Sequence, residues 1–273
     1  MRPGTLSSLP LLLIGTCLVV TGGSVAAQVP GTSGATGPGA VSDPGFLFER
    51  PRISVGIRGG WFFHRGDSDL YDFATERFTV EPSDFRSMAI GVEGAVWLGN
   101  QAEFMVAVDG SRLSIGSEYR DWVEEVPGPG DTTINIPIRQ TTRLSHGPAV
   151  SFGLRWYLLE RGEQLSRFVW IPAGWNAYVG GGGGVTGYRL QLEGDFVDEN
   201  EGIIQEDRFA SSGSTAFPWV MGGIEVAWTT RTALTFEGRY QWGDHDLGPE
   251  FADFEHPLDL AGSRFSIGLN YRF

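Results

Sequence analysis

Residues 264–273 read Arg-Phe-Ser-Ile-Gly-Leu-Asn-Tyr-Arg-Phe. Successive side chains of a strand point to opposite sides, so Phe265, Ile267, Leu269, Tyr271 and Phe273 share one face. Arg264, Ser266, Gly268, Asn270 and Arg272 share the other. A one-residue slip would exchange the two faces, so a segment this regular has its register written into it. A strand with one apolar face fits a water-soluble sandwich or a membrane barrel, and the rest of the chain has to decide between them.

Upstream the same alternation recurs. Ile53, Val55, Ile57, Gly59, Trp61 and Phe63 oppose Ser54, Gly56, Arg58 and Gly60. Further alternating segments run over 88–98, 103–115, about 139–158, 176–189, 217–228 and 232–242, and the last covers 260–273, making eight. Strands two and three meet around Gly99-Asn100, and six and seven around Thr229-Thr230-Arg231. Long polar stretches, about 64–87, 120–137, 190–215 and 243–259, join one to two, three to four, five to six and seven to eight. Short turns at one end and long connections at the other describe an outer-membrane barrel, with both termini on the short-turn side. Trp61, Phe63 and Trp242 fall at the long-loop end, and Trp97, Trp156, Trp228 and Phe273 at the other, as two headgroup-level girdles would. An open sheet in hydrocarbon would leave a row of backbone groups unpaired, so the sheet must close. The expectation is an all-β fold: one closed antiparallel transmembrane β-barrel of about eight up-and-down strands over residues 51–273.

The chain has 273 residues, 41% hydrophobic and 19% charged, with 40 Gly and 12% aromatics, which suits one strand-rich domain rather than disorder or a helical protein. Residues 1–27 read as a signal peptide: Arg2, an apolar run from Leu9 to Val20, and small residues at Val25-Ala26-Ala27. That run is shorter than the roughly 18 residues a spanning helix needs. The mature chain would begin near Gln28 and continue through a Gly/Pro/Ser-rich periplasmic linker, 28–50. Cys17, the one cysteine, lies in the leader; acylation there is the alternative reading, against which Thr16 is bulkier than the usual preceding residue. All 20 basic residues are Arg, and the net charge of -13 argues against nucleic acid as a partner.

Residues 266–273, Ser-Ile-Gly-Leu-Asn-Tyr-Arg-Phe, match the polar-x-Gly-x-x-apolar-x-apolar terminal signal of bacterial outer-membrane barrels, with Ser266, Gly268, Tyr271 and Phe273 at its marked positions. Over 51–273 the chain resembles the eight-stranded outer-membrane β-barrel family that includes the OmpA transmembrane domain and OmpW-like proteins. The resemblance implies residence in the bacterial cell outer membrane among lipid and lipopolysaccharide, and insertion by the barrel-assembly machinery. Because the chain stops at Phe273, the peptidoglycan-binding domain of full OmpA-type proteins is not expected.

Alternation places Arg58, Arg155, Arg239, Arg264 and Arg272 inside the barrel with Glu93, Asp109, Glu225 and Glu237. Such groups are costly unless paired, so they read as a salt-bridged plug; the alternative is a water-filled, ion-selecting constriction. Eight strands leave an interior that side chains fill, which favours the plug. The connections hold 23 of the 33 acidic residues and five Arg, a setting for bridging by divalent cations to lipopolysaccharide. Asp244, His245, Asp246 and His256 are candidate metal ligands, and a His–Asp pair among them could activate water. Gly182 to Gly187 spells G-x-G-x-x-G, but Tyr188 to Leu192 continues a strand where a nucleotide site needs a helix. Ser145-His146 are strand neighbours pointing opposite ways and make no dyad. No cofactor is expected. The functional expectation is a non-enzymatic protein of envelope integrity or surface interaction; the alternatives are a narrow channel for small solutes and an interfacial lipid-modifying enzyme.

Overall fold

The computed structural model describes residues 45–130, 132–198, 203–252 and 254–273. The leader and residues 28–44 lie outside them. The barrel strands are β1 (Ile53–His64), β2 (Arg86–Trp97), β3 (Ala102–Pro127), β4 (Thr133–Tyr157), β5 (Trp175–Asp198), β6 (Ile203–Ala227), β7 (Thr232–Gln241) and β8 (Gly262–Arg272). Each pairs antiparallel with its neighbours in a closed ring. The ring shuts where β1 meets β8, in register from Ser54 opposite Arg272 to His64 opposite Gly262. Phe273 N–H donates to the Ile53 carbonyl at 2.9 Å, and Arg52 N–H donates to the Phe273 carbonyl at 2.9 Å. The terminal strand is thus the seal of the barrel: Tyr271 and Phe273 point outward, and Ser266 and Gly268 lie on the inward-facing register.

The outer wall is a continuous apolar belt carrying Ile57, Ile90, Val106, Phe152, Val220, Phe236 and Ile267, with Ile57 63% and Ile90 62% exposed. Water would not tolerate a patch of this extent on a monomer, whereas hydrocarbon requires it. The barrel is therefore of the membrane-spanning kind. Trp61, Phe63 and Trp242 edge the belt at one end, and Trp156, Trp228 and Phe273 at the other. Trp97 departs from the expected girdle. Because Ala95 and Trp97 share the inward parity of β2, its ring is buried, with the Arg161 guanidinium 3.6 Å above it.

Two of the long connections are mostly strand. The β3–β4 and β5–β6 hairpins continue outward past the belt, so 120–137 and 190–215 contribute arms rather than loops. The amphipathic signal fades there because an arm in water has no lipid face to mark, while backbone pairing continues. Ile134, Ile136 and Ile138 were a surviving trace of it. Extended arms expose edges, and the other two connections cover them. Thr79 N–H donates to the Glu118 carbonyl on the β3 edge at 2.8 Å, and on the β6 edge Ala210 N–H donates to Glu250 at 2.6 Å.

The remaining stretch, 158–174, folds back as a small hairpin of Gly162–Ser166 with Val169–Pro172. Its Trp170 is buried against Leu47 and Trp97. Leu47 and Trp170 exchange both backbone hydrogen bonds at 2.8 Å, which fastens the chain just before β1 beneath the barrel.

Two glycine sites shape the wall. At Gly147, φ is +119°, a conformation that favours glycine, and the Gly147-Pro148 irregularity moves the inward face of β4 from Leu144 and His146 to Ser151, Arg155 and Tyr157. On β5, Gly182 lies opposite Trp219, and a Cβ there would run into the Phe152 carbonyl oxygen and the Gly153 Cα of β4 before meeting the Trp219 ring at 2.8 Å. The glycine run is a seat for an inward-facing tryptophan. Gly182→Leu should lower barrel stability by about 1–3 kcal/mol, read as an earlier urea midpoint for loss of the heat-modifiable folded band; an unchanged midpoint would mean that the β4 backbone and Trp219 both give way at no cost.

Candidate functional site

The charged residues assigned to the interior all project into the lumen and form one connected network. In its middle tier Arg58 donates to both Asp109 oxygens at 2.8 and 2.6 Å, and to Glu93 at 3.1 Å and Glu237 at 3.4 Å. Arg155 joins Glu93 and Glu237, each at 3.2 Å, and Tyr178 donates its hydroxyl to Glu237 at 3.2 Å. Arg239 and Arg264 stand directly opposite each other on β7 and β8, an unfavourable pairing of like charges. Asp109 sits between them, 3.0 Å from Arg264 and 3.9 Å from Arg239, and the Arg239 guanidinium also lies 4.1 Å from the Trp219 ring centre.

A lower tier adds two residues that sequence reasoning missed. Glu103 binds Arg155 and Arg161, both at 2.5 Å; Arg161 reaches Glu225 at 3.3 Å, and Arg272 reaches it at 2.9 Å. Tyr157 donates to Glu103 or Glu225, 3.3 Å from each. Glu103 was findable, since it shares the parity of Asp109 along β3. Arg161 was not: it comes from the β4–β5 connection and enters the lumen from below, a placement no strand period encodes.

Side chains close both ends. Below lie Leu47, Trp97 and Trp170. Above, the helix α1 (Asp69–Arg77) lies across the mouth. Asp69 and Asp72 in its first turn and Arg77 in its last match the helix dipole. Its Leu70, Tyr71 and Ala74 bury against Leu113, Leu144, Leu190, Leu258 and Leu260. Between this lid and the ion network, His64 and His146 stack at 4.8 Å with Phe62 beside them. His146 therefore points inward, while the Ser145 hydroxyl donates to the Arg189 carbonyl at 3.4 Å, so the two form no dyad.

The loop candidates for metal binding are distributed over two places. His256 Nδ1 meets the Asp69 carboxylate at 2.8 Å, and the same carboxylate accepts from the Glu255 and His256 backbone N–H groups at 3.0 Å each. His245 Nδ1 instead lies 2.7 Å from the Asp246 carbonyl and 3.2 Å from the Tyr188 hydroxyl, while Asp244 pairs in register with Asp259. Among the described residues no three His, Cys, Asp or Glu side chains converge as a metal site. What the fourth connection builds is a latch: Arg65 to Asp259 at 3.0 Å ties it to the start of the first connection, and His256 to Asp69 and Phe73 against Phe254 tie it to α1.

No protein-family model matches the chain, and no curated protein does. Among solved structures it is similar to Neisserial surface protein A, at 11% identity over 81% of this chain and 96% of that one, with a TM-score of 0.39. It is similar to the outer membrane protein OprG of Pseudomonas aeruginosa at 11% identity, 83% and 99% coverage and a TM-score of 0.40. For outer membrane protein W of E. coli the values are 12%, 83% and 100%, and 0.34. The ring of paired strands, rather than these similarities, carries the fold assignment.

Removing one partner from a desolvated ion network leaves the others uncompensated. Arg155→Met should cost about 3–5 kcal/mol in vesicle-based urea unfolding, because Glu93, Glu103 and Glu237 all lose a cation. A loss below about 1 kcal/mol would place the network in the hydrated class.

The latch carries its own pH dependence. Contact with Asp69 raises the His256 pKa above its ordinary 6.5, and contact with His256 holds Asp69 below its ordinary 3.8. A raised histidine contributes fully below 6.5 and loses its contribution as pH climbs through the raised value; a lowered carboxylate contributes above 3.8 and fails as pH falls through the lowered one. Protection of the 243–259 connection from protease should thus be greatest between about pH 4 and 6.5 and decline above that. His256→Gln should flatten the upper limb; a wild-type profile that is level from pH 5 to 8 would refute the latch.

Proposed function

We propose that this chain is a sealed, non-enzymatic outer-membrane barrel that serves envelope integrity or surface interaction through its extracellular arms. The observation that carries this reading is the desolvation of the lumen: of its eleven charged side chains, six Arg and five carboxylates, none is more than 8% exposed. A conducting constriction would need its charges in contact with water and with ions exchanging past them. Here each carboxylate is held by at least one guanidinium, and apolar side chains lie above and below. The features facing outward are the two strand arms and the latched lid, which also carry the acidic charge.

An enzyme of the membrane interface would need a histidine with a polar partner at the belt edge. Of the four histidines, His64 and His146 stack on each other inside the barrel, while His245, beside the Tyr188 hydroxyl, and His256, beside Asp69, belong to the fourth connection over the lid rather than to the belt edge.

Conductance of the refolded, heat-modifiable protein in a planar lipid bilayer separates the sealed barrel from the channel. A silent bilayer with verified insertion is expected. Reproducible discrete steps altered by Glu225→Gln or Arg239→Gln would establish a channel and end the sealed reading.

A further inference from the structure

At the short-turn end, outside the barrel, a cleft of about 470 Å³ opens between three pieces of chain: the entry to β1, the turn after β2, and the tip of the small hairpin. Arg50, Arg52 and Arg167 line it, with Glu49 as its one acidic residue. Among the described residues, none of these three guanidinium groups has an ion pair or a side-chain hydrogen bond; Arg50 only overlies the Trp97 ring at 5.8 Å, and Arg167 the Phe168 ring at 5.5 Å. The lumenal arginines, by contrast, are crowded with carboxylates. Three cations against one anion leave the cleft with two uncompensated positive charges.

The rim has the opposite character. Leu98 and Phe168, at the mouth, are 62% and 60% exposed, and Leu165 and Phe48 stand exposed nearby. The hairpin is two-sided: Trp170 is driven under the barrel while Leu165 and Phe168 are turned outward, although nothing in water would reward turning them out. An apolar fringe around a cationic hollow, at the level where the lipid-facing belt ends, matches an amphiphile with an anionic head.

We propose that this cleft binds the headgroup of a net-anionic phospholipid in the periplasmic leaflet, with Arg50, Arg52 and Arg167 on the phosphate oxygens and the acyl chains passing over Leu98 and Phe168. Guanidinium forks suit phosphate oxygens in geometry as well as charge, and the volume is in the range of small-ligand sites. The charge environment agrees. Burial, and next the nearby charge of Arg161, lower the Arg50 pKa, with only Glu160 acting the other way, so an anion in the cleft relieves Arg50. A soluble phosphate would satisfy the arginines but leave the apolar fringe in water. The inference rests on the belt lying in a bilayer, as the proposed function has it.

The test uses the full chain folded in micelles doped with equal phosphatidylglycerol and phosphatidylcholine, with retained lipid read by native mass spectrometry. Phosphatidylglycerol should be retained preferentially, and the preference should fall about fivefold for each arginine replaced, as expected for one cation near an anionic headgroup. Arg167→Gln, at the exposed hairpin tip, tests this without risk to folding; the triple Arg50→Gln, Arg52→Gln, Arg167→Gln variant should abolish the preference, and Arg208→Gln on the distant arm should leave it intact. Equal retention of both lipids by a protein whose heat-modifiable band shows it folded would overturn the site while leaving the barrel reading standing. Displacement of the lipid by an equal concentration of glycerol phosphate would overturn the lipid assignment in favour of a soluble phosphate. Failure to insert into vesicles at all would remove the barrel reading, and this site with it.

Discussion

Hydrocarbon offers no partner to a backbone N–H or C=O, and every other feature of this molecule accommodates that fact. An isolated alternating segment such as 264–273 has no stable place in a bilayer until both of its edges are paired. The ring supplies both, with β8 sealed against β1 along their common length and the last residue still hydrogen-bonded to Ile53 and Arg52. Once the ring closes, its outer face must be apolar, and whatever polarity the strands carry is forced inward. The charged lumen follows from closure.

An eight-stranded ring leaves little space for water, so inward charges must solvate one another. The two tiers do this in part by sharing, although guanidinium nitrogens of Arg239, Arg264 and Arg272 are buried without a hydrogen-bond partner among the described residues. Glu93 and Glu237 each serve Arg58 and Arg155, Asp109 serves Arg58, Arg239 and Arg264, and Glu103 joins the tiers through Arg155 and Arg161. Such a network does not stabilise the barrel relative to an apolar filling, since desolvation of each ion offsets much of the attraction. Its physical effect is positional: guanidinium forks from β1, β4, β7 and β8 hold those walls at defined separations, with apolar clusters above and below.

Beyond the belt the same sheet serves different purposes. The arms of β3–β4 and β5–β6 need no lipid face and carry polar residues on both sides, with their edges covered by the first and fourth connections. Those two connections are also latched to each other through Asp69, Asp259 and His256, so the lid over the lumen and the protection of the arm edges are one assembly. At the opposite end, the β4–β5 connection sets Trp170 and Arg161 under the barrel and turns Leu165 and Phe168 outward.

The strand period by itself determined the number of barrel strands, which side chains face lipid and the identity of nine of the lumenal charges, because alternation is enforced residue by residue wherever lipid lies on one side and protein on the other. It did not determine where β3 to β6 end, because in water neither face of a strand has to be apolar and the periodic signal disappears while the pairing goes on. Nor could it place Arg161, Trp170, α1 or the His256–Asp69 contact. These groups come from connections, whose positions depend on which distant surfaces they cover, and that is settled only when the ring has closed and presents two open ends to be filled.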